Sequence, residues 1–174
     1  MVNKVLIFST FIDFYHFAMS NTSRERGNLS EERFKQLCAL QSWPCFKSSA
    51  EDDMFKHIDF YVVTDEGEIS VDVKHSSDVE QIWVELKNVR GKTGWLYGEA
   101  THICFDVPLV NKMVMVERKE LAAYIAENCT KEFVKKDEAY LKLYTRQGRA
   151  DILTFIKLYD LFYLTTFQIY RHES

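Results

Sequence analysis

Proline and glycine are scarce in this sequence, two and six in 174 residues, and no internal repeat or low-complexity tract interrupts it. That scarcity excludes disorder over most of the chain, since disordered segments are rich in Pro, Gly and polar residues. The four cysteines, Cys38, Cys45, Cys104 and Cys129, form no CxxC pair, which excludes a zinc knuckle and a thioredoxin-like redox motif. Reduced thiols in a cytoplasmic protein are the expected state. A basic excess is also lacking: the net charge of −4 argues against a protein that simply coats nucleic acid. No apolar run reaches the roughly 20 residues of a membrane-spanning helix, so no membrane partner is expected.

What is present is a large apolar reserve, 47% hydrophobic and 14% aromatic residues, enough for a proper core in one domain. The chain divides into 1–22, an amino-terminal extension or strand, and 23–174, a single domain. "MVNKVLIFSTFIDFYHFAM" contains Asp13 and His16 and lacks a small-residue cleavage site, so it does not read as an export signal. Composition changes at "MSNTSRERGNLSEERF", which makes Met19 a second candidate start beside Met1. Charge is unevenly spread. Residues 51–85 carry eleven acids against Lys56 and Lys74, whereas 112–149 carry nine Lys or Arg against six acids. Acid is gathered where a cation would sit, and base is spread over segments that can meet phosphate.

Periodicity gives a mixed α/β order. "NLSEERFKQLCALQSWP" predicts a helix with Ser30 as N-cap, Glu31 and Glu32 in the first turn, Phe34, Leu37 and Cys38 at helical spacing, and Pro44 as its stop. "HIDFYVV" and "EISVDVKHS" predict two strands joined at "TDEG". "IWVELKN", "HICFDV" and "NKMVMVE" predict further strands, and "RKELAAYIAENC" a helix. "YLKLYTRQGRADILTFIKLYDLFYL" predicts a strand, a turn at 147–149, a second strand and a short terminal segment. The apolar "ILTFIKLYDLFYLTTFQIY" reads either as core or as the face of a homodimer.

The hairpin raises the functional question. A two-residue period places Val71 and Val73 on one face and Asp72 and Lys74 on the other, where Asp59 of the first strand joins them. Taken alone, Asp72-x-Lys74 is a neutralising pair on a solvated strand. Asp59 and a preceding helix acid complete an ordered set suited to Mg²⁺, for which one or two carboxylates and several waters suffice. The helix acids also have a plainer reason for their position, because first-turn carboxylates favour the helix dipole.

The ordered set resembles the PD-(D/E)XK nuclease superfamily over about residues 27–107, with "GNLSEERF" as the helix motif, "HIDF" as the first acidic strand motif and "VDVK" as the D-x-K strand. Ile58 stands where the family pattern has Pro before Asp59. "WVELKNVRGKTGWLYGEATHICF" is similar to a segment of small phage-type members, which implies a phage or prophage origin and a place in the cytoplasm of a bacterial host. The resemblance implies an α/β fold with a restriction-endonuclease-like core, a mixed central sheet flanked by helices. It implies a Mg²⁺-dependent endonuclease or exonuclease that hydrolyses phosphodiester bonds of DNA, junction-resolvase-like in its choice of structure, with Mn²⁺ able to replace Mg²⁺. Under it Asp59 and Asp72, with the backbone carbonyl of Val73, become the metal ligands. Lys74 positions or activates the attacking water and stabilises charge on the phosphate. Glu31, or Glu32 beside it, becomes the helix acid, and Glu85 is a further candidate acid.

"RGKTGWLYG" is a candidate DNA-contact loop: its glycines let backbone approach phosphate, Arg90 and Lys92 supply charge, and Trp95 and Tyr97 offer rings for stacking. Arg146 and Arg149 are similar candidates at a basic turn. Core packing is the competing reading for the aromatics, and a solvated surface for the arginines. His57 reads as a strand-edge residue and His75 as a structural or solvated one. Gln81 has a weaker claim on the site than Glu85, and Asp52 and Asp53 read as solvated loop charges. The alternative function is a catalytically silent protein of the same fold that binds nucleic acid or a host protein.

Overall fold

The first helix begins earlier than its sequence suggests. In the computed structural model, which describes residues 22–164 and 168–171, α1 spans Ser23–Leu40 and is capped by Thr22. The Glu25 N–H donates to Thr22 Oγ1, and the Thr22 N–H donates to Glu25 Oε2 at 2.6 Å, a reciprocal capping box. Ser30 is therefore not the N-cap but a buried mid-helix residue. Its hydroxyl donates to Asp106 Oδ2 at 2.6 Å, and Arg33 Nε donates to the same oxygen at 2.9 Å. His75 Nδ1 lies 3.1 Å from Ser30 Oγ. A serine, a histidine and an aspartate thus meet, but the serine is sealed in the core, so the cluster pins α1 to the sheet and offers no nucleophile.

Two short elements that the periodicity does not announce follow α1: β1 (Cys45–Lys47) and α2 (Ala50–Lys56). Asp52 and Asp53, expected in a loop, belong to the first turn of α2, where Ser49 Oγ accepts from the Asp52 N–H at 3.0 Å. Acids there are favoured by the exposed N–H groups of the turn. His57 is not a strand-edge residue but the left-handed cap of α2, with φ 56°.

The expected strands form as β2 (Phe60–Thr64), β3 (Gly67–His75), β4 (Ile82–Lys87), β5 (His102–Val107) and β6 (Lys112–Glu117), followed by the expected helix α3 (Arg118–Asn128) and strand β7 (Ile152–Ile156); a further strand, β8 (Gln168–Arg171), was not expected. Residues 140–146, expected as a strand, make only isolated bridges, Tyr140 to Phe155, Leu143 to Phe133 and Tyr144 to Leu153. The central sheet has the order β1-β2-β3-β5-β6-β8 and is mixed: β3 and β5 run parallel, and the other neighbours are antiparallel. β4 leaves this sheet to pair with β7 as a separate two-stranded ribbon.

Both faces of the central sheet are covered, which explains why β3 is buried on both sides. On one face Phe34, Leu37 and Cys38 of α1 pack on Phe60, Val71, Val73 and Cys104. On the other, Ile82 and Val84 of β4, Leu121 and Ile125 of α3, and the turn at 95–97 cover Ile103, Phe105, Val114 and Val116. Each such fully buried large side chain contributes roughly 1.5–3 kcal/mol. Of the apolar carboxyl-terminal run, Ile156, Leu161 and Leu164 are core, while Tyr159, Phe162 and Tyr163 are exposed. The expected extension over 1–22, beyond Thr22, and the choice between Met1 and Met19 lie outside the described residues.

Candidate functional site

Asp72 and Lys74 leave β3 on the face opposite α1, the side on which Ile103 and Phe105, their register partners in β5, enter the second core. Asp72 is 1% exposed and Asp59 is 7% exposed. Asp59 immediately precedes β2, and its N–H donates to the Val71 carbonyl at 2.9 Å. Its Oδ2 accepts from the Val73 N–H at 2.7 Å. The hairpin thereby fixes Asp59 beside Asp72 at the end where β3 runs past β2.

Lys74 Nζ lies 2.5 Å from Asp72 Oδ1. The other carboxylate oxygen of Asp72, Oδ2, is buried and finds no hydrogen-bond partner among the described residues. Burial pushes the Asp72 carboxyl up to about 8. Lys74 opposes that shift, and the neighbouring Asp59 carboxylate adds to it. Burial would lower the Lys74 ammonium, yet the carboxylates of Asp72, Asp59 and Glu85 outweigh it and hold the ammonium above its ordinary value.

Glu31 and Glu32 are separated by the fold. Glu31 Oε2 lies 2.7 Å from Lys47 Nζ, which stands 3.7 Å from Asp59 Oδ1, so Glu31 reaches the acid pair through one lysine. Glu32 pairs instead with Lys35 on the exposed side of α1. Lys47, in the three-residue β1, is the residue that sequence reasoning missed. Burial weakens its charge, but Glu31 and Asp59 more than restore it.

Glu85 lies within the field of Lys74, and its carboxyl is raised by burial against the pull of Lys74 and Arg146. The Trp95 backbone also opposes the rise. Trp95, expected as a stacking platform, is only 8% exposed. Its ring packs edge-on against Phe105, with Lys74 Nζ 5.6 Å from its centroid. Tyr97, at 45%, is the exposed aromatic of that loop. Arg90 and Lys92 sit on an exposed turn whose N–H groups are gathered by Asn88 Oδ1, at 3.0 and 3.1 Å. Arg146 is anchored to the buried Asp151, and Arg149 is exposed at the Gly148 turn. His57 lies within the field of Lys74: burial lowers its pKa, Lys74 adds to that, and the Thr93 backbone opposes both. His75, on the α1 side, belongs to the Ser30–Asp106 cluster.

Gly94 holds the loop against β4. A Cβ there would press into the Glu85 carbonyl oxygen and come to 2.8 Å from the Leu86 carbonyl carbon. Both obstacles are backbone, so Gly94→Ala is expected to cost about 1–3 kcal/mol and to displace Trp95 from Lys74. Urea unfolding together with near-ultraviolet circular dichroism measures both effects; unchanged stability would show that the loop is not held this tightly.

Among the described residues no three His, Cys, Asp or Glu side chains converge as a ready-made metal cage. A pair of carboxylates is nonetheless sufficient for Mg²⁺, which keeps most of its waters. Comparison with family models, curated proteins and solved structures returned no match for this chain. No helix of the described residues is long and apolar enough to cross a membrane.

Proposed function

We propose that the protein is a Mg²⁺-dependent nuclease, acting on DNA, whose site is Asp59, Asp72 and Lys74 with Glu31 and Lys47 behind them. The observation that carries this reading is the Oδ2 oxygen of Asp72: it is buried, no donor among the described residues bonds it, and the Asp59 carboxylate stands close enough for the pair to share a cation or a proton. An orphaned carboxylate oxygen of this kind costs on the order of 1–3 kcal/mol or more unless a cation or a proton satisfies it. Asp59 and Asp72 would hold the metal, with the backbone carbonyl of Val73, the residue after Asp72, as a further oxygen ligand. The cation supplies Lewis-acid activation of water and neutralises charge on the phosphate.

The chain's own residues supply the rest. Lys74, now held by Asp72, is the ammonium within reach of a phosphate oxygen beside the acid pair, where a fixed positive charge stabilises the charge that develops during hydrolysis. Lys47 holds Glu31 and Asp59 in register. Trp95 and Phe105 wall the site on its apolar side, which lowers the local dielectric and strengthens these interactions.

The silent-protein reading draws on a specific feature too, since the Asp72–Lys74 and Lys47–Glu31 contacts pair two of the three carboxylates of the site without any metal. A labelled panel of linear duplex, single-stranded, nicked and four-way-junction DNA, incubated with Mg²⁺, Mn²⁺ or EDTA, separates the two. Cleavage of at least one substrate in either metal and none in EDTA is expected. A folded protein that cuts nothing under any condition would remove the nuclease reading.

A further inference from the structure

Beside the acid pair lies a cavity of about 400 Å³ that the proposed hydrolysis does not use. Trp83, Glu85, Trp95, Lys136, Tyr144 and Arg146 line it. Glu85 and Trp95 are shared with the site itself, for both neighbour Lys74. The cavity arises because β4 pairs with β7, which brings Trp83 opposite Phe155 and carries Tyr144 alongside through its bridge to Leu153. Trp83 packs edge-on to Phe155 at 5.3 Å and against Tyr144 at 5.8 Å, so its ring is held in one orientation.

The chemistry of the lining is specific. Aromatic faces accept a flat ring. Lys136 rests over Trp83, its Nζ 6.0 Å from the ring centroid, a weak hold at an exposed site that an incoming ring displaces readily. Asp151 fixes Arg146 through its backbone N–H at 3.0 Å and through its Nε, so the guanidinium stays at the cavity wall. Lys136 and Arg146 thus bring positive charge to the lining of an aromatic pocket, and Lys74 stands 5.6 Å from the centroid of the Trp95 ring that walls it. Glu85 adds a carboxylate that can accept from an N–H on the edge of a ring. A planar ring with edge N–H groups, attached to an anion, is the chemistry of a nucleotide.

We propose that this cavity receives one unpaired nucleobase, the base next to the phosphate that sits at Lys74. Its volume lies near the small end of ligand pockets, roughly 300–1,000 Å³, which suits one nucleotide and excludes a base pair. The strand that occupies the site is therefore single-stranded or frayed at that nucleotide. The position relative to a cut phosphate rests on the nuclease reading above; the base pocket itself does not.

Calorimetric titration in EDTA, where no cleavage occurs, tests the pocket. The probes are a single-stranded deoxyadenosine hexanucleotide and an abasic backbone of the same length. The hexanucleotide is expected to bind roughly 5–150-fold tighter than the abasic chain, the range that loss of one base stack represents. Tyr144→Ala and Trp83→Leu should each shrink that ratio, with folding confirmed by circular dichroism. Equal affinity for the two probes overturns the proposal, as does a ratio that both folded variants preserve. A protein that prefers the base-bearing probe but cuts no DNA with Mg²⁺ keeps the pocket and loses the nuclease. One that cuts DNA yet shows no preference keeps the nuclease and loses the pocket.

Discussion

Asp72→Asn and Lys74→Ala should each lower metal-dependent DNA cleavage by roughly 10²–10³-fold or more while leaving the protein folded. The two losses have different origins. Asn keeps the shape of Asp72 and removes the charge that a cation requires, so the Oδ2 position can no longer act as an anionic ligand. Ala at 74 leaves both carboxylates and removes the ammonium that would face the phosphate. Raising the Mn²⁺ concentration is therefore expected to recover part of the activity of an Asp72 variant and none of the activity of a Lys74 variant. Single-turnover cleavage of the preferred substrate across a metal titration measures this. Full activity in both folded variants would place the chemistry elsewhere.

The hairpin that carries these residues was legible because alternation is a local property. "VDVK" writes its two faces in four letters, and the fold keeps Val71 and Val73 towards α1 and Asp72 and Lys74 away from it. The start of α1 is ambiguous in the sequence although its signal is present: "TSRE" is a capping box, but Ser30 followed by two glutamates offers a competing cap, eight residues on from Thr22 and nearer the apolar stripe. What settled the contest is Asp106, more than seventy residues away, which needs the Ser30 hydroxyl inside the core. Lys47 was invisible for a different reason, since a three-residue strand leaves no period to read. The cavity beside the site could not be anticipated either. Trp83 and Tyr144 meet because β4 pairs with β7 and Tyr144 bridges to Leu153 of β7, and neither strand's sequence names its partner.

Asp72 should also make the metal-free protein less stable as pH rises. Its carboxyl ionises near 8 in the folded protein, pushed there first by burial, against an ordinary value of 3.8 in the unfolded chain. Between those values the folded state holds a proton that the unfolded state has lost, so stability falls with increasing pH by about 1.4 kcal/mol per unit from this group alone. The contribution is fully present below about pH 4 and gone once pH passes about 8. Other carboxylates titrate in the same measurement, but they cancel when the wild type is compared with Asp72→Asn. Urea unfolding of both at pH 5, 6, 7 and 8 should show the wild type losing ground to the variant steadily along the series. A constant difference would mean that Lys74 keeps Asp72 ionised throughout, and the carboxylate would then already be satisfied without a cation. If a cation is what the site requires, Mn²⁺ or Ca²⁺ at about a hundred times its dissociation constant adds roughly 2.7 kcal/mol, some 5–10 °C in Tm for a chain of this size. That gain should be larger at pH 8 than at pH 6, because the cation and the proton compete for the same carboxylate, and it should vanish in Asp72→Asn.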